Sequence, residues 1–166
     1  MGWADERAAQ IKTALADDAA RTSALLERRV IVSNYAGDLW EALVVELERL
    51  TKEFAAALPL AKERNLQALR LNENNLTIMT NAFPLIKFQL LYDRGAGISG
   101  TLTETFSGMS ETRTRKLRTV GFTTDRDLQP CLTDGSRYLP PSLVAEELME
   151  KVAEFFEKAS KMPSFL

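Results

Sequence analysis

From Leu85 to Phe106 the chain alternates apolar and polar residues with period two, and no other feature narrows its possible folds so far. "LIKFQLLYD" sets Ile86, Phe88, Leu90 and Tyr92 against Lys87, Gln89 and Asp93, and "ISGTLTETF" sets Ile98, Leu102 and Phe106 against Ser99, Thr101, Thr103 and Thr105. Successive side chains of a strand point to opposite faces, so this pattern predicts two strands, each covered on one face only. Residues 66–71, with Leu69 and Leu71 together on one face, and 76–80, with Leu76 and Ile78, predict two more. A fifth strand is expected over 112–122 and a shorter one over 128–132. Turn residues separate them: "NENN" at 72–75, "SGMSE" at 107–111 and "TDGS" at 133–136, where Asp134-Gly135 is a common hairpin pair. Short connections and polar outer faces mean an antiparallel sheet.

The flanking segments have helical period. Trp40, Leu43, Leu47, Leu50, Phe54 and Ala57 step 3-4-3-4-3, a stripe broad enough to lie on a sheet. Gly37 is expected to break the preceding helix, Asp38 to cap this one, and Pro59 to end it. Upstream, residues 4–34 carry a thinner stripe of Ile11, Leu15, Ala19, Thr22 and Leu26, ending in the apolar patch Val30–Val32. A helix with so little apolar area must lean on its own domain or on a second copy of the chain. After Pro140 and Pro141, with Ser142 as a candidate cap, Val144, Leu148, Val152, Phe155 and Phe156 form a last apolar face.

Helices, then strands, then a helix is the order of an α+β fold. The expected architecture is two layers in one domain, 1–166: an antiparallel sheet of about five strands with N-terminal helices and a C-terminal helix packed on one face. Within it, 1–36 form a peripheral helix, 37–58 a core helix, 66–139 the sheet and 140–160 the C-terminal helix.

"GAGISG", Gly95–Gly100, matches the glycine spacing of dinucleotide-binding turns. That chemistry needs a helix whose N-terminus meets the pyrophosphate, whereas the residues after Gly97 alternate as a strand. The glycines are therefore expected to serve a hairpin. Keeping Ile86–Tyr92 and Ile98–Phe106 on one face demands a loop of odd length. Gly95-Ala96-Gly97 supplies one, with Gly97 left-handed, Arg94 opposite Ile98, Leu90 opposite Leu102 and Phe88 opposite Glu104.

The chain has no histidine and one cysteine, Cys131, which removes histidine-based catalysis, thiolate metal clusters and internal disulfides. Asp125, Asp127 and Asp134 lack the spacing of a calcium loop and read as turn residues. No metal or cofactor is expected. The absence of a long apolar run points to a soluble cytoplasmic protein without membrane contact.

Two candidate sites remain. Glu104 falls on the apolar face, so Phe88, Leu90, Leu102 and Glu104 could floor a ligand cavity between sheet and helices. Arg113, Arg115, Lys116 and Arg118 form the densest basic run, but they divide between two strand faces in a chain of net charge −2. With no stacking aromatics among them, they argue for edge protection and against nucleic acid. The functional expectation is a non-catalytic protein-interaction or scaffold domain, self-associating as a dimer or meeting a protein partner. Ligand binding in the cavity stands as an alternative, and an acidic partner or nucleic acid at Arg113–Arg118 as a weaker one.

Overall fold

The alternating segment is the centre of the computed structural model, which describes residues 2–106 and 112–162. Strands β1 (Gln67–Asn72), β2 (Asn75–Met79), β3 (Leu85–Asp93), β4 (Gly97–Thr105) and β5 (Thr112–Lys116) form one antiparallel sheet in chain order, β3 and β4 inside and β1 and β5 at the edges. Leu76, Ile78, Ile86, Phe88, Leu90, Ile98 and Leu102 are buried on its covered face. On the outward face, threonine hydroxyls bridge neighbouring strands, Thr103 to Thr114 at 3.3 Å and Thr105 to Thr112 at 3.2 Å. Leu69 and Leu71 do share a face, but it is this outward one; Ala68 and Arg70 face the helices, opposite Ile78 and Leu76. The turn expected at 107–111 and the last residues, 163–166, lie outside the described residues.

The cover comes from α1 (Trp3–Ala57) and α3 (Pro141–Ser160), which also pack on each other, with a short α2 (Pro59–Glu63) between α1 and the sheet. α3 buries Val144, Ala145, Met149, Val152, Phe155, Phe156 and Ala159. Its cap is Pro140 with Pro141 as first residue, and Ser142 does not cap. A proline at that position loses nothing, since its missing N–H would have had no partner.

Three expectations are corrected. First, α1 runs without a break through Gly37, and Asp38 caps nothing. A helical glycine costs about 1 kcal/mol, whereas Ala36, Trp40, Leu43, Val44 and Leu47 keep one unbroken buried stripe across it. A break would have thrown that stripe out of phase. Second, residues 112–122 are not one strand. The chain leaves β5 at Lys116, and β6 (Gly121–Thr124) joins β7 (Pro130–Thr133) and β8 (Tyr138–Leu139) in a separate three-stranded sheet. Third, the hairpin register is two residues off: Tyr92 pairs with Ile98, Leu90 with Gly100, Phe88 with Leu102 and Ile86 with Glu104.

The loop is still three residues long, but it is Arg94-Gly95-Ala96. Asp93 decides this: its side chain accepts from Gly95 N–H at 2.9 Å and its carbonyl from Ala96 N–H at 3.2 Å, so the turn starts one residue early. Gly97 has the expected positive φ, 106°, as the first residue of β4.

Arg70 ties the β1 edge to α1. Its guanidinium donates to both carboxylate oxygens of Glu48, at 2.7 and 2.9 Å, and of Glu41, at 2.8 and 3.0 Å. These hydrogen bonds, Glu48 first, raise the guanidinium pKa above its usual value. All three side chains are at least a third exposed, which limits what the clamp contributes. Arg70→Met is expected to cost about 1 kcal/mol at low salt and less in high salt; urea denaturation at two ionic strengths checks both.

Candidate functional site

A long segment of α1 stands open to solvent. Every residue from Trp3 to Val30 is exposed, about 40 Å of helix at about 1.5 Å per residue. Burial begins with Ile31 and Val32 and becomes complete at Ala36. The projecting end is well started: Gly2 N–H donates to Asp5 Oδ2 at 3.2 Å, and Asp5 and Glu6 sit in the first turn, where the helix dipole favours negative charge.

The projecting segment is not polar all round. Trp3 is 80% exposed, Leu15 64% and Leu25 58%, and Ile11, Leu26 and Val30 are also open to solvent. At about 100° per residue, Ile11, Leu15, Leu25 and Leu26 lie on the side of α1 that Ala36, Trp40, Leu43, Val44 and Leu47 turn to the sheet. The stripe that makes the core therefore continues past the domain with nothing on it. Such a stripe loses hydrophobic stabilisation unless something covers it.

At the foot of the projection, a cleft of about 430 Å³ opens between α1 and the sheet's end, lined by Gly37, Trp40 and Glu41 on the helix and by the 72–75 turn, Tyr92 and Arg94 on the sheet. Trp40 is fixed there twice: its indole N–H donates to Glu73 carbonyl at 2.7 Å, and its ring stacks on Tyr92 with centroids 5.6 Å apart. Phe122 of β6 packs against Tyr92 edge-to-face. The Tyr92 hydroxyl is buried without a hydrogen-bond partner.

Phe88, Leu90, Leu102 and Glu104 do come together on the covered face, in the packed region under α1 and α3, and none of the four lines that cleft. Glu104 is 4% exposed; Lys158 of α3 holds its ammonium 3.9 Å from Oε1, which accepts no hydrogen bond. Of the basic run, Arg113 and Arg115 pair with Glu104 and Leu102 and so face the helix side, where Arg115 lies 3.9 Å from Glu154. Lys116 pairs with Thr101 on the outward face, and Arg118 lies beside Gly135 in the β7–β8 turn. β5 is an edge strand and all its residues are exposed, the position where basic side chains discourage strand addition.

The aspartates serve turns. Asp125 Oδ1 accepts from the N–H groups of Asp127 and Gln129, both at 2.9 Å. Asp134 accepts from Ser136 and Arg137, which holds its carboxyl well below the usual range. Cys131 is a half-buried residue of β7, its thiol pushed up by burial and then by Asp125. Among the described residues no helix is long and apolar enough to cross a membrane.

Sequence reasoning missed Arg70 and the cleft. The signal for Arg70 was a cation on an otherwise apolar strand face, with Glu41 and Glu48 seven apart on one side of a helix. The cleft had no such signal, because it exists only where Trp40, the 72–75 turn and Tyr92 converge. Comparison of the chain with protein-family models, with curated proteins and with solved structures gave no match.

Proposed function

We propose that the protein is a cytoplasmic, non-catalytic interaction domain that associates with itself through the projecting part of α1. The observation that supports this is the apolar stripe of Ile11, Leu15, Leu25 and Leu26, exposed along a helix that leaves its domain. A monomer gains nothing from those side chains, while an apolar seam at helical spacing is what a partner helix covers. The composition fits the same reading, since a chain without histidine lacks the commonest acid–base group.

The full-length protein is expected to have a dimer's mass by light scattering at tens of micromolar. Leu15→Glu with Leu25→Glu should weaken the dimer by about a hundredfold or more, since each replaces one of the few large apolar contacts of the seam with a carboxylate. The thermal unfolding of the α+β unit should remain, because neither side chain touches it. A wild-type monomer at these concentrations would refute self-association.

A further inference from the structure

We propose that the second copy lies antiparallel on the projecting half of α1, with Leu15 of each copy against Leu25 of the other. This rests on the self-association reading and specifies its geometry. Ala4, Ala8, Ile11, Leu15, Asp18, Thr22, Leu25, Arg29, Val32 and Ala36 alternate in steps of 4 and 3 along the side of α1 that becomes the core stripe. That is the seam of a two-helix coiled coil.

Direction is set by the fold. The seam lies on the side that faces the sheet from Ala36 onward. In a parallel pair, the second helix would continue along that side into the volume that Leu76, Ile78, Phe88 and Leu90 already fill. It would also stack Asp18 on Asp18 and Arg29 on Arg29, like charges inside the seam. Turned antiparallel, each copy's helix runs away from the other's sheet, and only its first turns reach the foot of the other's domain.

Register is set by the length of the free segment. Centring the pair at Ala20 sets Ala8 against Val32, Ile11 against Arg29, Leu15 against Leu25 and Asp18 against Thr22, with Arg21 of the second copy one residue from Asp18, and brings the second copy's Ala4 only to the level of Ala36, where its partner's own domain takes over the stripe. Sliding the pair one heptad deeper would drive the second copy's first two turns into the domain. Sliding it one heptad out would set Leu15 against Asp18. At Ala20, the second copy's first turn ends at the level of Gly37, beside the cleft floored by Trp40, and there Trp3 gains cover. A contact strip about 10–12 Å wide along the about 40 Å of free helix buries about 800–1,000 Å² over both copies. The Trp3 contact adds to this, bringing the total to just over about 1,000 Å², the least that a specific interface needs.

The test is disulfide trapping in the full chain with Cys131→Ser as background. Leu15→Cys and Leu25→Cys are made singly and together, alongside light scattering of each. Mild oxidation should cross-link the double variant and an equimolar mixture of the two single variants, and at least about tenfold less of either single variant alone. Single variants that cross-link with themselves would establish parallel pairing and overturn the proposal while leaving self-association intact. A dimer that traps in none of these combinations uses another face, which also overturns it; a monomer throughout removes self-association itself. Trp3→Ala should weaken the dimer by about tenfold, and an unchanged dissociation constant would remove the cleft from the interface.

Discussion

Gly97→Val should cost about 3–5 kcal/mol, a large share of the total stability of a domain this size. Two independent requirements meet at this residue. Its φ of 106° lies where side chains other than glycine are strained by about 1–3 kcal/mol. A Cβ there would also stand 2.4 Å from the Val120 carbonyl oxygen, backbone that no side-chain rotation can move aside. Relieving that overlap means breaking the Ile98–Val120 pair, whose two hydrogen bonds are 2.7 and 2.9 Å, at about 1 kcal/mol each. Gly95 is the control in the same loop: its φ is not positive, and the nearest atom to an added Cβ is Asp93 Oδ1 at 3.6 Å. Gly95→Ala should therefore fall within about 1 kcal/mol of the parent, on either side. Urea denaturation of both variants decides the matter, and a loss under about 1 kcal/mol for Gly97→Val would contradict the close approach.

Phe88→Ala is the second large effect, expected at about 3–5 kcal/mol. Phe88 is fully buried in the middle of β3, opposite Ile78 on one side and Leu102 on the other, beneath α1 and α3. Removing its ring deletes contacts on every side, and the neighbours that would have to collapse inward are held by strand pairing. For a chain of this length the loss corresponds to about 10 °C in Tm. Leu91→Ala, on the outward face and 44% exposed, should cost well under 1 kcal/mol. The pair of variants also bears on the ligand-cavity alternative. If the space between sheet and helices held a ligand-sized void, the ring would have few partners to lose and the truncation would be mild.

Much of this fold is legible along the chain because strand and helix periods are local properties. The even-numbered set from Ile86 to Leu102 predicts the covered face, and the Trp40–Phe54 stripe predicts the helix that lies on it. Positive φ at Gly97 is expected of the last loop residue and is found instead in the first residue of β4, pressed against the Val120 carbonyl. Apart from the hairpin register, which Asp93 shifts from within its own loop, what failed were the places where local preference met a distant partner. Gly37 reads as a break until the stripe from Ala36 to Leu47 is seen packed on one sheet. Residues 112–122 read as one strand until Leu117 and Val120 are seen crossing β4, with Leu117 against Gly100 and Val120 against Gly97. The last glycine of "GAGISG" is therefore a packing site: a Cβ at Gly100 would come within 3.3 Å of Leu90 and Leu117.

The sequence by itself determined the α+β order, the covered face of β2, β3 and β4 and the exclusion of histidine and multi-cysteine chemistry, because composition and periodicity are readable without knowing what touches what. Only the tertiary structure decided that α1 is one helix, that its stripe outruns the domain, and that the free stripe and the sheet lie on the same side of it. Those facts depend on where the sheet ends relative to the helix. Neither the helix nor the strands encode that alone, since packing two elements together fixes how far one extends past the other.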